Sequence, residues 1–317
     1  MARPNLAAAI SVALLLILSA CGKKEDKQAV QKAHEEAVAQ ETAKGMAQGA
    51  AKGADVGASV AASAGDVFAV QQGTPFLDRF HTLDDARRWN VSDGWSNGAW
   101  MASDFRRSQL VIAPHGLDIK LAPSAEGSPK PYAGGEFSAR EAVKYGYFEI
   151  RMRVAKGSGL VNGVFTYAPP TKKQRMQEID IEILGRATRR VEFTIHQGNK
   201  VESIIMDLPF DAAEGFHTYA FDWKPSSVTY YVDGKKMHTM RGAVVPVPNR
   251  AQNLIVDLWN TQLLLPWAGP INASEAPWTL SMSCIAYAHT YNGKPLCTSP
   301  YPNDVQTAET EPGASAQ

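Results

Sequence analysis

Glu178, Ile179, Asp180, Ile181, Glu182 and Ile183 alternate acid and isoleucine without interruption, the period of a β-strand. In a strand the three acids share one face and the isoleucines point the other way, into a core. Asp and Glu are disfavoured in strands, and stacked negative charges repel one another. A solvated acidic face would give the same alternation, but it brings no packing benefit to offset that cost. Chemical use of the carboxyls is the alternative. Hydrolysis of a glycosidic bond needs two carboxyl groups flanking it, one of them kept protonated by its surroundings.

The rest of the chain predicts strands and turns, with helical periodicity nearly absent. Tyr147, Glu149, Arg151 and Arg153 alternate with Phe148, Ile150, Met152 and Val154, giving one polar and one apolar face. Asp233-Gly234 lies between two strand-like stretches and predicts a hairpin. Many short strands with regular turns imply an all-β sandwich or barrel. The 317 residues, 44% hydrophobic and 20% charged, are enough for one large all-β domain. Lysine plus arginine and aspartate plus glutamate both number 32, so the net charge is zero and nothing points to a nucleic-acid partner.

Residues 177–185 (QEIDIEILG) resemble the active-site strand of glycoside hydrolase family 16, in its bacterial lichenase type. That type separates its two glutamates by three residues, without the insertion of laminarinase-like members. The likeness continues through 93–98 (DGWSNG), 145–154 (YGYFEIRMRV), 165–167 (FTY), 209–223 (PFDAAEGFHTYAFDW), 231–234 (YVDG) and 258–260 (LWN), and spans residues 74–291. It implies a two-sheet β-jelly roll, a concanavalin A-like sandwich whose concave sheet forms a cleft for an extended sugar chain. By the same resemblance the activity is retaining, endo-acting hydrolysis of a β-glucan-like polysaccharide. Glu178 is then the nucleophile, Glu182 the general acid/base, and Asp180 a hydrogen-bonding neighbour of Glu178. On a flat strand the Cα atoms of the two glutamates stand about 13 Å apart. A concave strand tilts their side chains toward the separation of about 5–5.5 Å that retention requires. The resemblance also puts Trp95, Asn97, Glu136, Phe165, Tyr167, Glu192, Asp257 and Trp259 at substrate-binding positions, and Trp223 is expected in the core.

Departures from the lichenase pattern are informative. Met176 stands where a tryptophan is usual, and Gln177 replaces an aspartate. Glu192 and Asp257 stand where the pattern commonly has Gln and Asn, and Ser138 takes the place of an arginine. The chemistry therefore looks kept and the specificity changed. Ser103 and Gly134 occupy the positions of a common disulfide, so that bridge cannot form. Ser283 replaces an aspartate associated with a structural calcium, and no metal or cofactor is expected. Two other readings share these features: a transglycosylase that passes the glycosyl group to a sugar, and a non-catalytic polysaccharide-binding lipoprotein. Product sizes separate the first and release of reducing ends the second.

The N-terminus looks like an address. Arg3 precedes an apolar run over 6–20 that is too short for a membrane-spanning helix and suits a signal peptide. It ends in Leu18, Ser19, Ala20 and Cys21, resembling a bacterial lipobox with Cys21 as the lipidation site. Gly22 rather than an aspartate follows, which by that resemblance directs the protein to the outer membrane. The expected organisation is a signal peptide at 1–20, a lipidated Ala/Gly/Lys/Glu-rich tether at 21–73, the catalytic domain at 74–293 and a tail at 294–317. The tether is too poor in apolar residues to form a core. Cys284 and Cys297 remain as an even pair in an oxidising compartment and are expected to form a disulfide. The expected partners are a polysaccharide and, through the lipid, a membrane of the cell envelope. An anchored enzyme suits a polymer at its own cell surface, so a bacterial exopolysaccharide with a β-glucan-like backbone is the expected substrate.

Overall fold

Sixteen strands build the domain, in a computed structural model that describes residues 73–84 and 86–297. The expected signal peptide, Cys21, nearly all of the tether and the tail from 298 onward lie outside the described residues. Among the described residues no helix is long and apolar enough to cross a membrane.

In chain order the strands are β1 (Phe76–Asp78), β2 (Trp89–Val91), β3 (Ser103–Phe105), β4 (Leu110–Ala113), β5 (Gly116–Pro123), β6 (Tyr132–Ala139), β7 (Gly146–Arg153) and β8 (Leu160–Ala168). They continue as β9 (Gln177–Leu184), β10 (Arg190–Gln197), β11 (Lys200–Asp207), β12 (His217–Lys224), β13 (Ser227–Val232), β14 (Lys235–Met240), β15 (Asn253–Asn260) and β16 (Trp278–Ala288). One sheet runs β11-β10-β9-β8-β15-β6, with β2 also on β6; the other runs β5-β16-β7-β12-β13-β14, with β4 on β5. β1 adds to β16, and β5 meets β6 where Ala122 faces Ala133, joining the two layers. The architecture is the two-sheet β-jelly roll.

The core lies between the sheets. Ile179, Ile181 and Ile183 of β9 and Val191, Phe193 and Ile195 of β10 are buried there, facing Phe148, Ile150, Tyr219 and Phe221 of the second sheet. Each buried aliphatic or aromatic side chain of this size contributes about 1.5–3 kcal/mol relative to exposure. Phe193 stacks on Tyr230 with ring centroids 4.4 Å apart, and the Tyr230 hydroxyl donates to the Thr194 carbonyl at 2.9 Å. That pair ties β10 to the opposite sheet. Trp223 is fully buried and donates to the Pro248 carbonyl at 2.9 Å. Asp233 and Gly234 both have positive φ, 48° and 73°, as the tight hairpin between β13 and β14 requires.

One face differs from its sequence pattern. Tyr147 and Glu149 belong to the polar face of β7 yet are buried, because the segment that follows β16 folds over them. Tyr291 stacks on Tyr147 at 4.7 Å, and the Leu296 and Cys297 amides donate to Glu149 at 3.1 and 2.6 Å. Cys297 is bonded to Cys284 of β16. The first residues assigned to a tail, 294–297, are therefore part of the domain's surface layer.

Ile181 is enclosed by both sheets directly behind the acidic face. Ile181→Ala is expected to destabilise the protein by about 2–5 kcal/mol, read as a lower urea midpoint with an unchanged denaturant slope.

Candidate active site

Behind Glu178, Asp180 and Glu182 lie the isoleucines, and beside them the neighbouring strands extend the acidic face. On β10, Glu192 stands opposite Glu182, Thr194 opposite Asp180 and His196 opposite Glu178. On β8 the matching positions are Gly163, Phe165 and Tyr167. Asp257 of β15 stands opposite Gly163, and Glu136 of β6 opposite Asp257. A single row across the sheet thus reads Glu192, Glu182, Gly163, Asp257, Glu136.

The glycine in this row is a space. A Cβ at Gly163 would lie 2.3 Å from Asp257 Oδ1, so the Asp257 carboxyl leans over β8 where a side chain would otherwise stand. Asp257 Oδ1 has no hydrogen-bond partner and the residue is 3% exposed.

Burial dominates the protonation of these groups, because the cleft walls strip water from charged oxygens. It pushes Glu178 up to about 7, while a hydrogen bond from Asp180 works in the opposite direction. Asp180 is held well above the usual carboxylate range by burial and by the charges of Glu178 and Glu182. The proton of that pair therefore rests on Asp180, which donates it to an ionised Glu178. Glu182 is also raised strongly, by burial first and then by Glu192 and Glu178. Asp257 rises for the same reasons, with Glu136 its strongest charged neighbour. Glu136 is pushed up to about 7 by burial, against the opposing hydrogen bond from the Ser92 hydroxyl.

His196 was not anticipated. Its Nε2 lies 3.6 Å from Asp180 Oδ2, and burial lowers it to about 4, so the imidazole is neutral. Glu178, Asp180 and His196 place one ligand atom each within 4.8 Å of one another, the only such grouping among the described residues. At the position associated with calcium, Ser283 accepts from Arg151 Nη1 at 2.9 Å.

Aromatic side chains flank the acids. Phe165 and Tyr167 form a small cluster with Met176, apart from the main core. Trp259 meets Trp100 edge-on at 4.8 Å and Trp267 at 6.1 Å. Trp95 meets Phe105 edge-on at 5.2 Å, and Asn97 is buried with its Oδ1 unpartnered. Sugar rings stack on such planes and hydrogen-bond to such orphaned polar atoms. Gln177 serves the scaffold instead: its Oε1 accepts from the Asn249 and Arg250 amides at 2.8 and 3.0 Å. Trp100 and Trp267 also escaped the sequence reading. Trp267 sits on a four-residue helix after β15, Leu265–Ala268, with no periodicity around it to reveal its contact.

Residues 97–279 match the family described as glycosyl hydrolases family 16. The chain belongs to this family. It is 35% identical over 205 residues to a β-glucanase of Bacillus subtilis, covering 64% of this chain and 82% of that protein. It is 33% identical over 213 residues to the endo-1,3-1,4-β-glycanase ExoK of Rhizobium meliloti, covering 67% of this chain and 78% of that one. Among solved structures, a lichenase from a mouse hindgut metagenome superposes with a TM-score of 0.63 at 31% identity, covering 68% of this chain and 99% of the other. The Bacillus licheniformis β-glucanase gives 0.62 at 32% identity, with the same coverages. As a family 16 member the protein is a glycosidase, hydrolysing O-glycosyl bonds.

The Glu136 shift has a consequence for stability. Its folded value of about 7 lies above the ordinary 4.5, so between those values the folded protein holds a proton that the unfolded chain has released. Stability therefore falls as pH rises through that window. Glu136→Gln removes this contribution, so the variant's melting temperature should gain on wild type between pH 5 and pH 8.

Proposed function

We propose that the protein is a retaining endo-β-glucanase of the 1,3-1,4 type in which Glu178 attacks the anomeric carbon and Glu182 protonates the departing oxygen. The observation that carries this reading is the hydrogen-bonded Glu178–Asp180 pair on the same strand face as Glu182, with burial raising Glu182. The pair supplies an ionised nucleophile and Glu182 supplies a proton, the two states that the first step consumes. In that step a bond forms between a Glu178 oxygen and the anomeric carbon as the glycosidic C–O bond breaks, and the Glu182 proton passes to the leaving oxygen. In the second step water attacks the same carbon, Glu182 takes the water's proton, and Glu178 leaves as carboxylate. Configuration is retained by two inversions. Asp180 shifts its proton toward or away from Glu178 as charge there is consumed and restored. The activities of the relatives, β-glucanase and endo-1,3-1,4-β-glycanase, support a β-glucan backbone as substrate.

The finer reading is that the natural polymer is a bacterial exopolysaccharide with such a backbone, cut at the cell envelope by an enzyme anchored through Cys21 in the outer membrane. It rests on the lipobox-like sequence and on the Met176, Ser138, Glu192 and Asp257 departures. Purified enzyme should shorten the producing cell's own polymer faster than lichenan, and Cys21→Ser should move the protein from the detergent phase to the aqueous phase. Faster cleavage of lichenan with the surface polymer untouched would leave the plain lichenase reading.

Glu178→Gln is expected to lose at least about a thousandfold in turnover of lichenan with an unchanged circular dichroism spectrum, the scale on which removing a catalytic nucleophile acts. In Glu178→Ala, azide should restore turnover of an activated aryl glycoside and yield a glycosyl azide of inverted configuration. Near wild-type activity in Glu178→Gln would overturn the assignment.

A further inference from the structure

Glu192 is the cleft carboxylate with the most complete set of donors. Ser203 Oγ donates to its Oε1 at 2.5 Å, and Trp267 Nε1 donates to its Oε2 at 3.0 Å. An indole N–H only donates, so Oε2 must accept. The two bonds hold the Glu192 side chain at a fixed position. Directly opposed residues on antiparallel strands have Cβ atoms about 4.5–5.5 Å apart, and the residue directly opposite Glu192 on β9 is Glu182.

Of the other groups around Glu182, Glu178 also raises it, as a smaller cause than Glu192. On its own strand, Asp180 carries the proton of the Glu178 pair and Glu178 carries the negative charge. On β8 the opposed residue is Gly163, which offers nothing. Across that gap Asp257 of β15 is held neutral by burial and by its neighbour Glu136 on β6. On β10 the remaining ionisable group, His196, is neutral and stands beside Asp180. Glu182 therefore has a pinned carboxylate on one flank and a neutral carboxyl on the other.

We propose that Glu192 is a positioning residue whose pinned negative charge keeps the catalytic proton on Glu182 in the free enzyme, and that Trp267 and Ser203 hold that charge in place. This rests on the assignment of Glu182 as general acid. Close like charges disfavour joint ionisation, and Glu182 is raised by burial first, then by Glu192 and then by Glu178. The same carboxylate bonds the indole that stands 6.1 Å from Trp259, so the charge that keeps the proton in place also fixes one wall of the cleft. A glutamine could accept one of the two hydrogen bonds, but it would bring no charge to Glu182.

The test is the pH dependence of kcat/KM on lichenan for wild type, Glu192→Gln, Glu192→Asp and Glu182→Gln. In Glu192→Gln the alkaline limb, where the acid loses its proton, should move down by about one pH unit, while the acidic limb set by Glu178 stays. Glu192→Asp keeps the charge on a shorter stem and should return the limb most of the way, even where kcat falls. An alkaline limb that stays in Glu192→Gln, or moves equally in both Glu192 variants, would overturn the role while leaving the hydrolase reading intact. Full activity in Glu182→Gln would overturn the assignment and this inference with it. Thermal unfolding of each variant at a common pH shows whether a lost activity is a lost fold.

Discussion

Carboxyl groups that share a poorly hydrated face repel one another and resist ionisation, and this repulsion organises the concave sheet. β9 tolerates it because its other face is among the best-packed surfaces in the protein: Ile179, Ile181 and Ile183 are all essentially inaccessible. The hydrophobic side fixes the register, since a slip of one residue would put acids into the core. Register in turn fixes which carboxyl faces which. The arrangement of the acids is thus set by packing on the opposite side of the strand. The hydrogen bond between Glu178 and Asp180 sets those two acids apart, lowering Glu178 and raising Asp180, while Glu182 is raised by burial and by its charged neighbours.

Much of this was legible in the sequence for a physical reason. An alternating pattern encodes both a strand and a facing, so Glu178, Asp180 and Glu182 declare a common face without any tertiary knowledge. The Asp233-Gly234 turn was equally plain, because few residue pairs accept two positive φ values in succession. What stayed hidden depends on register between strands. Residues 190–197 (RVEFTIHQ) show that Glu192, Thr194 and His196 share a face, but not that His196 meets Asp180. The pairing is set by the turn over 185–189, including a short 3-10 turn at Gly185–Ala187, whose geometry has no alternating signature. Gly163 was hidden more deeply, since its role is the volume it leaves for Asp257. Trp267 belongs to a connection whose course is decided by the fold as a whole.

The second sheet shows the limit of the alternation rule. Tyr147 and Glu149 have the sequence position of solvated residues, yet both are covered by the segment after β16. Burying Glu149 raises it above its ordinary range, while Tyr147 and the Leu296 and Cys297 amides work to keep it charged. Pro295 rests beside Gly234, where a Cβ would come within 2.8 Å of its ring, so the hairpin glycine serves both the turn and the cover. The Cys284–Cys297 bond holds this cover against β16. Here a covalent link and a buried acid complete a surface that alternation alone would have left open to water.

The first described residues are fastened to the second sheet. His289 Nε2 lies 2.8 Å from the Gly73 carbonyl oxygen, and β1 lies antiparallel on β16 with Phe76 opposite Tyr287. Asp78 accepts from the Trp89 indole at 2.9 Å and from the Phe80 amide at 2.8 Å. Tension arriving from upstream of Gly73 would be carried by β1 into β16, which is itself paired with both β5 and β7. It would then spread through the sheet opposite the acidic row. The strands that take up the start of the described chain thus belong to the sheet opposite the one that carries Glu178, Asp180 and Glu182.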